Sequence, residues 1–386
     1  MRAEDYKIRT CFISLSIITL FILVFLLPTK VSGQKIQPDD KQYETDRTNA
    51  YASQLEDYLR QYLVDQYDER ASDSWHRDYS SIDAFCRSVE PNRRRWESVV
   101  IKPPVLKKSG PLSRRPYMIE GINGEWLELS LGLITAQAFL AFPLDNENKD
   151  KFPIVIVQHG IGSTPETPFR GGDYHAYAKE LLKAGFAVLV PMNLMSIERR
   201  NRVERLCRLA NISLPGIELV RLQNILDVVL TDSRIDPERV GMWGVSLGGM
   251  ATMFWMPLEP RIKAGVVSGW FNQRQNKMVI PDDRYSCFLE TTEDHAFFNG
   301  WLTEFSDHDV IALICPRPLL IQHGKKDGIA YWPQVREEFD LSRLQYEKLN
   351  IADRIQIDMH EGGHEAVIES GVKFMTKWLI TQPINK

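Results

Sequence analysis

The most constraining stretch of this sequence is Val240-Gly241-Met242-Trp243-Gly244-Val245-Ser246-Leu247-Gly248-Gly249. Its first four residues read as a buried strand, and Met250 to Met256 read as a helix. Between them Gly244-Val245-Ser246-Leu247-Gly248 fits G-x-S-x-G. That turn is so tight that a side chain on either flank of the serine would collide with the returning chain. A serine held there is strained, and its hydroxyl is exposed between strand and helix. The remainder of the chain must therefore supply a sheet whose strands feed helices.

From Pro116 onward it does. Trp126–Leu131 alternates apolar and polar residues after an Asn123-Gly124 hairpin signal, and Ile134–Phe142 continues the meander. Ile154-Val155-Ile156-Val157 is a solid apolar run, as in sheets covered on both faces. The pattern predicts a helix over Tyr174–Ala184 ending at Gly185, then strand Phe186–Val190. It continues with helix Glu218–Thr231, strand Arg239–Trp243, helix Gly248–Met256 and strand Ile262–Val267. Strands Pro318–Ile321 and Ile355–Met359 close it, with helices Gln334–Leu349 and His364–Ile380 beside them. Such alternation implies an α/β fold, a mostly parallel sheet with right-handed crossovers and helices on both faces.

Three segments stand outside this rhythm. Arg2, Lys7 and Arg9 precede an apolar run from Cys11 to Pro28, and Val31-Ser32-Gly33 offers the small residues of a cleavage site. Residues 1–33 thus read as a signal peptide, with Gln34 starting the mature chain in the periplasm or the medium. An uncleaved anchor is the alternative, since the run is close to the spanning minimum. Residues 34–115 read as a helical N-terminal extension, with Leu55, Tyr58, Leu59 and Leu63 at helical spacing and Arg93-Arg94-Arg95 as a solvated face. Residues 116–386 form the catalytic domain. Within it, 270–309 is an aromatic-rich insertion carrying Trp270, Phe271, Tyr285, Phe288, Phe297, Phe298, Trp301 and Phe305. A segment that long is a small core of its own, a wall over a substrate cleft, or both.

Composition removes other classes. Of 386 residues 44% are hydrophobic and 25% charged, which excludes a disordered or collagen-like chain. The net charge of −4, with both signs interspersed, provides no basic field for nucleic acid. Cys86, Cys207, Cys287 and Cys315 in the mature chain are too few for a disulfide scaffold, and any pairing among them stays open.

A serine hydroxyl needs a base, and the base needs an orienting acid. On this kind of sheet they follow the serine in the order acid, then histidine, each after a later strand. Asp327 lies beyond strand Pro318–Ile321 and His364 beyond the last strand, so Ser246, Asp327 and His364 are the candidate triad. Asp307, Asp309 and Glu290 are rival acids, and His360 is the rival base. The oxyanion donors are expected to be the backbone N–H of Leu247 and that of Ile161, in the loop His159-Gly160-Ile161-Gly162. His159 itself reads as structural. His360-Glu361-Gly362-Gly363-His364 also matches the zinc pattern H-E-x-x-H. That chemistry needs a helix, which two glycines leaving a strand disfavour, so neither a metal nor another cofactor is expected.

At these residues the chain resembles the α/β-hydrolase superfamily, and more closely its secreted dienelactone-hydrolase-like and acetyl-xylan-esterase-like members. The matching pieces are the His159-Gly160 loop, Trp243 to Gly249, Cys315-Pro316-Arg317-Pro318-Leu319-Leu320, Gly324 to Asp327, and Gly362-Gly363-His364. They run from about residue 116 to the C-terminus and leave 34–115 outside. The resemblance implies an eight-stranded sheet with an antiparallel second strand, and a serine triad without metal. Dienelactone hydrolases proper use a cysteine nucleophile; the serine at position 246 departs from that pattern.

The expected activity is a secreted serine carboxylic-ester hydrolase removing acetyl or other ester groups from polysaccharides. Its partner would be an ester substrate, with no nucleic acid and no membrane partner after cleavage. Trp270, Phe298 and Trp301 are candidate sugar-stacking residues. Arg199 and Arg200, in a cluster with Arg202, Arg205 and Arg208, could grip a uronate carboxylate or could be a charged helix face. Three other readings remain: a methylesterase on uronic-acid glycans such as pectin, a prolyl-oligopeptidase-type serine peptidase, and a non-catalytic carbohydrate-binding protein.

Overall fold

The computed structural model describes residues 41–143 and 151–382. The expected leader at 1–33 lies outside the described residues. The chain divides into two compact units, residues 1–53 and 54–386. In the first, residues 41–53 form the opening of helix Lys41–Arg60. The second carries one sheet.

Its nine strands are β1 (Ser113–Ile119), β2 (Ile122–Ser130), β3 (Thr135–Ala141), β4 (Phe152–Gln158), β5 (Ala187–Pro191), β6 (Ile235–Val245), β7 (Ile262–Ser268), β8 (Leu319–Gly324) and β9 (Ile355–His360). They are ordered β1-β2-β3-β5-β4-β6-β7-β8-β9. From β5 to β9 all neighbours are parallel, while β1, β2 and β3 form an antiparallel meander that joins through β3 to β5. Strands β2 to β9 are the expected eight, with β3 as the antiparallel second strand. A ninth strand, β1, extends that edge.

The extra strand also moves the hairpin turn. Ile119 pairs with Ile122, so the two-residue turn is Glu120-Gly121, both at positive φ (48° and 80°), as a type I′ turn requires. The expected turn at Asn123-Gly124 lies instead inside β2, opposite Met118 and Tyr117. Gly124 is small for another reason: a Cβ there would stand 2.5 Å from both the Phe139 ring and the Leu140 carbonyl oxygen.

The solid apolar run of β4 is buried on both faces, as its composition requires. Ile154 and Ile156 join one core and Val155 and Val157 the other, because side chains alternate across a strand. The second core is capped by helices Tyr177–Lys183 and Ile368–Thr376. The first holds helices Leu214–Val229, Leu247–Trp255 and Asp307–Ile314, together with the residues of the extension. The last helix starts at Ile368, not at the expected His364, which leaves residues 364–367 as a loop.

The extension is helical, but the expected stripe of Leu55, Tyr58 and Leu59 is exposed. Anchoring starts further on, at Leu63 and Tyr67. Trp96 is fully buried, its ring edge-on to Phe254 at 4.9 Å and its indole N–H donating to the Phe254 carbonyl at 3.1 Å. The run Arg93-Arg94-Arg95 is not one solvated face. Arg95 grips Glu304 through two bonds of 2.7 and 2.8 Å, and Arg93 donates to the Leu313 carbonyl at 3.0 Å; only Arg94 points outward. These bonds fasten the extension to the insertion and to the helix that follows it.

Candidate active site

At the end of β6 the chain turns straight into helix Leu247–Trp255, and Ser246 at the turn has φ 58° and ψ −121°. That is strained backbone for a residue with a Cβ, and its neighbours hold it there. The Ser246 N–H donates to the Ser268 carbonyl of β7 at 2.8 Å. A Cβ on Gly244 would lie 2.0 Å from the Gly248 carbonyl oxygen, and one on Gly248 would lie 2.1 Å from that of Gln158. The flanking glycines are thus forced by backbone packed on backbone.

Asp327 follows β8 and His364 follows β9. His364 Nδ1 and Asp327 Oδ2 are 2.8 Å apart, and the other oxygen, Oδ1, accepts the Ile329 N–H at 2.9 Å. Burial pushes the Asp327 carboxyl up, but the His364 and Ile329 bonds outweigh it and hold the group below the ordinary carboxylate range. It is therefore a carboxylate at neutral pH. His364 Nε2 is buried and has no hydrogen-bond partner among the described residues. The imidazole stands against Gly269, where a Cβ would lie 2.7 Å from His364 Cε1. Gly269 directly follows Ser268, the acceptor of the Ser246 N–H, and shares a cavity wall with Ser246. Histidine and serine thus meet the same end of β7.

The rival residues are otherwise engaged. Asp307 is paired with Arg274, Asp309 is bound by Tyr67, Ser306 and Arg77, and Glu290 is exposed. His360 ends β9 and accepts the Gly362 N–H at 3.2 Å. His360 and His364 therefore share no helix face, which the zinc geometry would need. His159 is buried, contacts the Gly160 carbonyl and accepts the Asn193 N–H, a structural role.

A polar chain beneath the site orients the histidine loop. The Trp243 indole donates to Ser268 Oγ at 2.9 Å, and that hydroxyl donates to Gln322 Oε1 at 2.6 Å. The buried Gln322 amide then donates to the Val367 carbonyl at 2.7 Å and to Ser370 Oγ at 2.9 Å. One side chain of β8 thereby pins the end of the loop after His364 and the first turn of the helix that follows. Neither Gln322 nor Gly269 belongs to a motif, so nothing local in the sequence marks them.

A cavity of about 130 Å³ opens at the serine. Ile161 and Leu247, the expected oxyanion donors, line it together with Met250, Trp270, Phe288 and Ile329. The loop carrying Ile161 is pressed onto Ser246: a Cβ on Gly160 would come within 3.2 Å of Ser246 Cβ. Across the cavity stand Lys277, Ser286, Thr291, Glu293 and His295. Burial, reinforced by Arg274, lowers Lys277 to about 8, and burial raises the Glu293 carboxyl.

Of the expected sugar-binding residues, the structure brings only Trp270 to this cavity. Phe298 and Trp301 are buried against Phe254 and line a different pocket, below the insertion. The insertion is thus both a core and a wall. The arginine cluster on helix Ile197–Leu209 is divided. Arg200 is 1% exposed and holds Glu218 through two bonds of 2.7 and 3.2 Å, which removes it from any ligand. Arg205 pairs with Asp294, Arg208 donates to the Phe297 carbonyl at 2.6 Å, and Arg199 is exposed. Arg205 and Arg208 dock the insertion.

No protein-family model matches the chain. It is 25% identical over 293 residues to YtaP of Bacillus subtilis, named as a hydrolase, covering 69% of this chain and 94% of that one. It is 26% identical over 255 residues to YitV of the same organism, named as an esterase, covering 61% and 91%. A Bacteroides fragilis structure named as an acetyl xylan esterase superposes with a TM-score of 0.59 at 19% identity, over 74% of this chain and 79% of the other. A glucuronoyl esterase from Solibacter usitatus superposes with a TM-score of 0.56 at 13% identity, over 77% and 94%. Strand order, the strained turn at Ser246 and these likenesses together identify the α/β-hydrolase fold, in a chain similar to proteins named as hydrolases and esterases.

Proposed function

We propose that this chain is a serine carboxylic-ester hydrolase that removes acetyl groups from polysaccharides. The observation that carries the proposal is the His364–Asp327 bond, at the carboxyl end of the same parallel sheet that presents Ser246 on its strained turn. Ser246 Oγ attacks the ester carbonyl while His364 Nε2 takes its proton. Asp327 keeps the ring in the tautomer with hydrogen on Nδ1 and stabilises the imidazolium. The Leu247 and Ile161 N–H groups receive the oxyanion. His364 then returns the proton to the departing alcohol, and water repeats the sequence on the acyl-enzyme.

The cavity supports a small acyl group, since about 130 Å³ is well under the roughly 300–1,000 Å³ of pockets for drug-sized ligands. Acetyl fits this better than feruloyl. Trp270, which lines the cavity, would offer a ring face to a sugar. The test is a release assay on acetylated xylan, methyl-esterified pectin and feruloylated glycans. Acetate is the expected product; release of none of the three acids or alcohols ends the proposal. A second reading, methyl-ester removal from uronic-acid glycans, is favoured by the neighbours named glucuronoyl esterases and would yield methanol. We also propose export, on the strength of the leader at 1–33. N-terminal sequencing of the protein from periplasm or medium should begin at Gln34, and a start at Met1 would refute cleavage.

A further inference from the structure

Lys277 is an odd residue to find in such a wall. It lies on helix Arg274–Val279 and is 3% exposed, with the Phe288 ring 4.8 Å from its ammonium. Burying an ammonium is costly, and a methionine would occupy this place with less desolvation. No carboxylate among the described residues pairs with it. Instead Nζ donates to the Ser286 carbonyl, to Ser286 Oγ at 2.7 Å and to the Ile329 carbonyl at 2.7 Å. Three protons meet three neutral acceptors, two on the insertion and one on the loop after Asp327. A fourth bond runs parallel to these, from the Ser286 N–H to the Gly328 carbonyl at 3.1 Å. The Ile329 N–H in turn donates to Asp327 Oδ1 at 2.9 Å, and Asp327 Oδ2 holds His364.

We propose that Lys277 is a positioning residue for the catalytic acid: its protonated amine ties the insertion to the 327–330 loop and so keeps the Asp327 carboxylate on His364. This rests on the reading of Ser246, His364 and Asp327 as the triad. The strength of the tether comes from its charge. A neutral amine has only two N–H groups; these can stay on the two carbonyls while the Ser286 hydroxyl turns to donate to the lone pair, and three charge-assisted bonds become weaker neutral ones. The groups facing Nζ are Arg274 on its own helix, Cys287 and Glu293 on the insertion, and Asp327 on the acid loop. Burial and then Arg274 disfavour the charge more than Glu293, Asp327 and Cys287 favour it, which places the loss of the proton at about 8. As pH rises through that value the tether loosens, and Asp327 drifts from the histidine.

The experiment is kcat and KM for p-nitrophenyl acetate across the alkaline range, with the full chain. In the wild type, kcat should fall with a midpoint near pH 8 while KM stays level. Lys277→Arg keeps its charge at every pH, so that limb should vanish. Lys277→Met should lose about 10- to 100-fold in kcat at neutral pH, the scale of a small misplacement of a catalytic group. Should Lys277→Arg not fold, Ser286→Ala takes its place; with one acceptor fewer, the charged amine is less favoured and the limb should move to lower pH. A wild-type kcat flat beyond pH 9, or a limb that neither variant moves, overturns the proposal. A wild type that neither turns over the ester nor labels at Ser246 with a fluorophosphonate overturns the triad reading, and this inference with it.

Discussion

Ser246→Ala should lower p-nitrophenyl acetate turnover by on the order of 10⁴-fold or more, with thermal unfolding left where it is in the wild type. The magnitude follows from the chemistry: without the hydroxyl there is no acyl-enzyme, and only the oxyanion donors and substrate binding remain. The intact fold follows from the turn. Alanine keeps the Cβ and can occupy the same φ of 58°, and the N–H still reaches Ser268. The elbow is held by backbone contacts at Gly244 and Gly248, which the substitution does not touch. Turnover and melting temperature measured on one preparation decide it. Turnover within tenfold of wild type, with unchanged melting, would place the nucleophile elsewhere.

Asp327→Asn is expected to cost about 10⁴-fold in kcat, nearly as much, although it removes no atom that touches substrate. In the proposed triad the carboxylate, 2.8 Å from His364 Nδ1, accepts the hydrogen there and leaves Nε2 to act as the base. An asparagine amide can donate to Nδ1 instead, which selects the opposite tautomer and puts the hydrogen on Nε2. The serine then faces a donor. The substitution is isosteric, so Ile329 keeps its bond and the loop keeps its course. Kinetics of the variant, together with the imidazole proton resonances of His364, report both effects. A variant with kcat near wild type would transfer the orienting role away from Asp327, and Asp307 is not free to take it because Arg274 holds it from both oxygens.

The elements that the sequence states most plainly are those set by neighbours along the chain. The apolar run Ile154–Val157 had to lie in a sheet covered on both faces, and it does. The glycines around Ser246 had to allow a turn no other residue permits. The order serine, acid, histidine then followed from strands that each end at the same rim. Where local signals misled, a contact from far away was the cause. Asn123-Gly124 looks like a turn, yet Phe139 packs on Gly124 and the reversal occurs three residues earlier. Arg200 looks like a ligand for a carboxylate, and it is one, but the carboxylate is Glu218 on the next helix.

What the sequence determined by itself is therefore the sheet, its crossovers, the tight turn at Ser246 and the pair of loops that carry Asp327 and His364. Periodicity, turn chemistry and steric exclusion act over a dozen residues or fewer, and a single chain displays them. Only the tertiary structure decided which acid meets His364, which aromatics face the cavity, and that Gly269 stands against His364, Gln322 beneath its loop and Lys277 in the cavity wall. Each of these is a contact between residues far apart along the chain, created when the strands align, and no local pattern of residue types encodes it.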